Sequence, residues 1–270
     1  MTATQLKLTE AERVARDVFA RLATATDEFE GYRHPHAERV AQLADELARL
    51  FGLGRADRAA LRIAALAHDL GEAAMRRDYI KRQGPLSDEE RLDLARHPVI
   101  GEQETARAGA DRGAQLLVRW HHEWWNGTGY PDALRRTQIP LGARLLRVAD
   151  AYAALTDARP FRSALSERDA RQHLAEWAGI EFDPQVVNTF LTLRDLPELR
   201  SYALLERPPL VATESFAQVA PAPSVDNSGL IGTIPNAGTN PHVYAPQAPD
   251  EDTQTDRPAE PSPTEGLGIL

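Results

Sequence analysis

Cysteine is absent from all 270 residues, which removes disulfide frameworks, thiolate metal sites and cysteine nucleophiles together. Any metal must therefore bind through nitrogen and oxygen. Lysine is nearly absent too: only Lys7 and Lys81 occur, and the remaining bases are arginine. Arginine where another protein has lysine thus carries little information in this chain. No run approaches the roughly 18 apolar residues of a membrane span. The opening "MTATQLKLTEAERVARDVFARL" alternates charged and apolar residues at helical spacing, unlike the basic start and apolar block of a signal peptide. A cytoplasmic protein with no membrane partner is the expectation. Three catalytic signatures are also missing: the G-x-S-x-G elbow, the P-loop, and a G-x-G-x-x-G following a strand. Serine hydrolases, nucleoside triphosphatases and dinucleotide-linked oxidoreductases drop out with them.

The formal net charge is −9, but its distribution matters more than its sum. From residue 213 onward eight acids (Glu214, Asp226, Asp250, Glu251, Asp252, Asp256, Glu260, Glu265) face one base, Arg257, so seven of the nine excess negative charges lie there. The remaining body is near neutral, and no nucleic-acid partner is expected. Eleven of the nineteen prolines also fall at or after Pro208, in a stretch with too few large apolar residues to offset the entropy of ordering. Residues 206–270 are therefore read as a disordered, acidic, proline-rich tail, either a solvated extension or a segment that engages a protein partner.

What precedes the tail reads as helix almost throughout. Thr9 and Glu12 form a capping-box pattern ahead of Val14, Val18 and Leu22. Val40, Leu43, Leu47 and Leu50 make one apolar face that Gly52 ends. Further starts stand at Ser87 with Glu90, at Ser166 with Asp169, and at Asp183 followed by Pro184. No alternating run reads as a strand. The spacing predicts an all-α protein: a helical extension over 1–30, then a single bundle of about seven to nine helices over 31–205, without internal repeat.

Within this pattern, His36, His68, Asp69, His97, His121, His122 and Asp150 are conspicuous. Taken singly, His36 or His97 at a helix start reads equally well as a cap or a surface residue. Asp69 is different, because "AALAHDLGEAAM" sets it and His68 among small apolar residues. Asp150 in "LLRVADAYAAL" is in the same position. A buried carboxylate costs several kcal/mol unless something cationic faces it. Divalent cations supply such a partner, and one bound metal pair would satisfy all seven side chains. Five imidazoles with two carboxylates favour iron, manganese, cobalt or zinc over magnesium or calcium. A second signal, "HHEWWNGTGYP" over 121–131, is a glycine-rich turn whose Trp124, Trp125 and Tyr130 read as the lining of a site mouth or as anchors of a surface turn.

These stretches, with "HPHAERV", "HP" at His97 and Pro98, "IPLGARLLRVADAYAALTDARPFR" and "FDPQVVNTF", resemble the HD-GYP branch of the HD phosphohydrolase superfamily over roughly residues 30 to 192. The resemblance implies an HD-type helical bundle that hydrolyses cyclic di-GMP, or another cyclic dinucleotide or phosphodiester, with a metal pair of iron or manganese. It implies that His36, His68, Asp69, His97, His121, His122 and Asp150 are the ligands, with Asp69 bridging the metals and acting in catalysis. It also implies that Gly129, Tyr130, Pro131, Arg159 and Arg162 border the substrate.

The chain departs from the family pattern at positions around the substrate. Tyr32 stands where relatives carry a glutamate for a third metal, so two metals are expected. Glu72 replaces the lysine after the HD-x-G stretch, Asn126 replaces the aspartate of HHExxDG, and Ala153 replaces the second aspartate of DxxDAL. A carboxylate in the lysine's place opposes a dianionic substrate. Three expectations follow: cyclic di-GMP hydrolysis, hydrolysis of a different phosphodiester, or a non-catalytic module that binds a ligand or partner.

Overall fold

The computed structural model describes residues 10–82, 84–158 and 163–194. These residues form eight helices of at least nine residues: α1 (Glu10–Glu30), α2 (His36–Leu50), α3 (Arg55–Ala67), α6 (His97–Arg107), α7 (Arg112–Trp120), α8 (Leu141–Thr156), α9 (Glu167–Glu176) and α10 (Pro184–Thr192). Two shorter ones, α4 (Leu70–Met75) and α5 (Asp88–Leu94), lie between α3 and α6. Among the described residues there is no strand, only one isolated bridge between Ala178 and Phe182. The all-α reading holds. No described helix is long and apolar enough to cross a membrane. The proline-rich tail and the Thr9 cap lie outside the described residues.

Local chemistry accounts for most of the boundaries. Ser87 accepts from the Glu90 amide while Glu90 reaches back to the Ser87 amide, a full capping box. Ser166 accepts from the Asp169 amide, and Asp183 accepts from that of Gln185 with Pro184 in the first turn. Beyond the end of α2, Gly52 has φ of +70°, and the Gly52 and Leu53 amides return to Arg49 and Ala48 carbonyls.

The layers converge on α8. Its residues Leu145 to Leu155 are all buried, with Arg147 and Asp150 the charged ones among them, so it needs cover all round. Helices α2, α3, α7, α9 and α10 supply that cover, with Leu43, Leu47, Leu61, Leu174 and Phe190 among the side chains that complete the core. Within the expected extension over 1–30 the described part is α1, and its Phe19 and Ala23 belong to the same core.

The α4 and α6 helices meet closely at Gly71. A Cβ there would lie 2.0 Å from the His97 carbonyl oxygen and 2.8 Å from the Gly101 amide nitrogen. Backbone cannot yield as a side-chain tip does, so no larger residue fits without separating the two helices. Gly71→Ala should therefore destabilise the protein by about 3 kcal/mol or more, read as a lower urea midpoint with unchanged slope.

Candidate metal centre

All seven singled-out residues come together, and most arrive on helix ends. His36 opens α2, His68 caps the end of α3, Asp69 precedes α4, His97 opens α6 and His121 caps the end of α7. Asp150 alone sits within a helix, α8. Each of the seven is at most 2 % exposed.

Three of the histidines are oriented by one repeated device. His68 Nδ1 lies 2.9 Å from the Ala65 carbonyl, His97 Nδ1 2.9 Å from that of Leu94, and His121 Nδ1 2.6 Å from that of Val118. In each case the acceptor is the carbonyl three residues earlier. A carbonyl only accepts, so Nδ1 carries the proton and Nε2 keeps its lone pair. His36 Nδ1 faces Asp157 Oδ2 at 3.1 Å instead, and Arg39 holds the other Asp157 oxygen at 2.5 Å.

The freed Nε2 atoms point at two carboxylates. Asp69 Oδ2 is 3.0 Å from His68 Nε2, while its Oδ1 is 3.7 Å from His97 Nε2 and 3.8 Å from His121 Nε2. Asp150 Oδ1 is 3.5 Å from His36 Nε2 and 3.6 Å from His68 Nε2. The donor atoms of Asp69, His97, His121 and His122 lie within 4.8 Å of one another, as do those of His36, His68 and Asp69. Asp69 belongs to both groups and turns one oxygen to each.

This donor set suits a divalent cation. The His97 and His121 Nε2 atoms stand 3.3 Å apart, and with both Nδ1 protons given to carbonyls neither can donate to the other. Two lone pairs at that distance call for a cation between them. Burial and then the neighbouring His121 push the His97 imidazole down to about 3, so it is a neutral ligand at any ordinary pH. The other group is the more negative. Burial works against a charge on His68, yet Asp69 and Asp150 hold its imidazole well above the usual range, and Asp150 and Asp157 do the same more mildly for His36. A field that favours a cation on those rings favours a metal ion equally.

The substrate-side expectations are met unevenly. A Cβ on Gly129 would fall 2.2 Å from the Trp124 amide nitrogen and 2.5 Å from the His122 carbonyl oxygen, so only glycine lets this strand lie against the histidine pair. The Tyr130 amide then donates to the His122 carbonyl at 3.1 Å, and its ring stacks on the His122 ring at 4.9 Å. Pro131 follows, half-buried. Glu123 secures the loop by accepting from the Asp132 and Leu134 amides at 2.7 and 2.9 Å. Trp124 is buried against Trp177, which makes it an anchor of the turn, and Trp125, half-buried, lies under the Arg144 guanidinium. Arg159 and Arg162 lie outside the described residues.

Glu72 is buried, with Oε1 3.8 Å from His97 Nδ1. Tyr32, in the place of the third-metal glutamate, stacks face to face on His36 at 4.1 Å. Several neighbours escaped sequence reasoning. Arg147, one turn before Asp150, gives it a 3.1 Å hydrogen bond and pairs also with Glu181. Its spacing of three from Asp150 was a readable signal; nothing in the sequence marked Glu181 as the partner of Arg147 or Asp157 as that of His36.

A model of the HD domain family matches residues 19–186. The cyclic di-GMP phosphodiesterase response regulator RpfG of Xanthomonas campestris is 34% identical over 188 residues, covering 68% of this chain and 49% of its own length. The 3'3'-cGAMP-specific phosphodiesterase 3 of Vibrio cholerae is 32% identical over 154 residues, covering 57% and 34%. Among solved structures, a cyclic GMP-AMP specific phosphodiesterase of V. cholerae superposes with a TM-score of 0.51 at 16% identity, over 64% of this chain and 48% of that one. The chain thus spans about half or less of the length of these relatives.

Divalent manganese at a hundred times its dissociation constant should stabilise the protein by about 2.7 kcal/mol, seen as a higher melting temperature that a chelator reverses. Asp69→Ala, which strips a ligand from both groups, should remove that response.

Proposed function

The chain belongs to the HD domain family, and on that premise we propose that it is a metal-dependent phosphodiesterase of cyclic dinucleotides, with cyclic di-GMP the first substrate to test. The observation that carries this reading is the placement of Asp69, whose two oxygens face two separate histidine groups. Such an arrangement suits two divalent ions sharing one carboxylate. Nitrogen-rich donors with two carboxylates favour iron or manganese here.

In this reading His36, His68 and Asp150 would hold one ion and His97, His121 and His122 the other, with Asp69 shared between the two groups. Such ions, when bound, would supply charge neutralisation at phosphate oxygens and a water of lowered pKa. The protein's part is positional. The carbonyls of Ala65, Leu94 and Val118 fix three tautomers, so no ring must turn during the reaction. Asp69 would orient the attacking water. One P–O ester bond breaks as the water oxygen bonds to phosphorus in line; one proton of that water ends on the leaving sugar oxygen and the other stays with the new phosphomonoester or passes to solvent. Tyr130, stacked on His122, walls one side of the centre and sheds bulk water from it, with Gly129 and Pro131 completing that wall. Arg159 and Arg162 contact the nucleotide. The body of the enzyme includes α1, whose Phe19 and Ala23 lie in its core, and residues 206–270 are available to a protein partner; the cytoplasm is the expected compartment.

Glu72 favours a second reading, hydrolysis of another nucleotide or phosphodiester. A carboxylate buried beside His97 repels a dianionic ligand. Cyclic di-GMP and 3'3'-cGAMP carry the same two charges, so this residue weighs against both alike and favours a substrate of lower charge.

Protein reconstituted anaerobically with iron or manganese should linearise cyclic di-GMP, read by chromatography of the product. Asp69→Ala should lower the rate about a thousandfold or more, ~4 kcal/mol of barrier. Glu72→Gln keeps the side-chain shape and removes its charge, so KM for the cyclic dinucleotide should fall roughly fivefold, ~1 kcal/mol. Unchanged KM values for both cyclic di-GMP and 3'3'-cGAMP would remove Glu72 from the specificity argument.

A further inference from the structure

The side chain of Arg147 is among the least expected in the molecule: a guanidinium only 2 % exposed, in the interior of α8. It lies within an otherwise apolar helix, where an unpaired charge would cost several kcal/mol. Two carboxylates meet it. One arm donates to Asp150 Oδ2 at 3.1 Å, and the other pairs with Glu181, which is itself 5 % exposed.

The geometry divides the labour of Asp150 between its oxygens. Oδ2 is held by Arg147, so Oδ1 is the oxygen turned to His36 and His68, at 3.5 and 3.6 Å. A carboxylate on a two-bond side chain can otherwise rotate and offer either oxygen or both. Glu181 in turn fixes the guanidinium from the far side. Its backbone is tied to the other half of the centre: the Trp125 amide donates to the Glu181 carbonyl at 3.0 Å and the Asn126 amide to that of Ile180 at 2.9 Å. Those amides belong to the turn that begins with His121 and His122. The short segment Ile180–Glu181 thus braces Asp150 through a side chain and the histidine pair through its backbone.

We propose that Arg147 and Glu181 are positioning residues of the metal centre, which together hold Asp150 with one oxygen available to a metal and set the affinity of the His36–His68–Asp150 group. This inference rests on the two-metal reading above. An ordinary buried ion pair would have no such role, and the two cases separate cleanly. Replacing both partners of a buried pair by apolar residues of similar volume is often neutral or stabilising for the fold, whereas loss of the group that orients a metal ligand costs about 10-fold to 100-fold in metal affinity.

The test is Arg147→Met with Glu181→Met, measured with the full chain by manganese titration alongside thermal melting. Wild type should take up two equivalents. Without metal the double variant should melt lower than wild type, because Asp150 is left buried without its cationic partner, and one equivalent should bind about 10-fold to 100-fold more weakly while the other is unchanged. Glu181→Gln, which preserves shape and needs no repacking, should weaken the same single equivalent by a smaller factor, and it serves if the double variant does not fold. Two equivalents bound by these variants with wild-type affinity would overturn the positioning role and leave the metal centre standing. A wild-type protein that binds no divalent ion would overturn both.

Discussion

Carboxylates and imidazoles held out of water must be faced by positive charge, and in this protein that demand governs the middle of the molecule. Asp69 and Asp150 are excluded from solvent, and neither can be relieved by hydration. For Asp150 the protein supplies half the answer itself in Arg147. The other Asp150 oxygen faces the His36 and His68 Nε2 atoms, which as neutral acceptors deepen the demand. Donors of that kind gathered around two carboxylates are unfavourable to assemble and become favourable when a cation completes them. Helix ends are well suited to the task. A histidine at the end of a helix finds a carbonyl of the preceding turn within reach of Nδ1, as His68 and His121 do. The fold thereby fixes the tautomer without a dedicated side chain, and uses one only at His36, through Asp157.

Close backbone approaches convert this local chemistry into a defined site. Gly71 lets α4 reach the start of α6, so that Asp69 and His97 stand on the same centre. Gly129 lets the turn after α7 fold back over its own histidines, bringing Tyr130 onto the His122 ring. In both places the absent side chain is the functional property: a methyl group would separate the elements that carry the ligands.

Much of this was readable before any coordinates. Helix caps at Ser87, Ser166 and Asp183 carry their own signal because the partner atom lies two or three residues away. The metal residues were visible because His68, Asp69 and Asp150 are out of place among alanines and leucines, and the cost of burying them has few remedies. Long-range partners were not visible. Asp157 and His36 are 121 residues apart, and Arg147 and Glu181 are 34 apart, so each pairing exists only once the bundle has closed. Trp124 stayed open between two readings for the same reason, since a tryptophan beside a glycine turn looks identical in sequence whether it faces a cleft or, as here, packs on Trp177.

The three departures from the HD-GYP pattern are not equivalent once placed in space. Ala153 is fully buried in the core of α8, and its carbonyl accepts from Arg39, a packing position. Asn126 is exposed and uses its side-chain oxygen to hold the Thr128 amide and hydroxyl, at 2.9 and 2.8 Å, a turn-forming role suited to an amide or a carboxylate. Glu72 differs from both, with its Oε1 3.8 Å from His97 Nδ1 in the histidine cluster. Electrostatic work on a phosphate falls off with distance and with the dielectric between the charges, so a buried carboxylate beside a ligand outweighs a change at an exposed turn. The difference in charge at position 72 is accordingly the feature by which this centre can prefer one anionic substrate over another while its metal ligands stay the same.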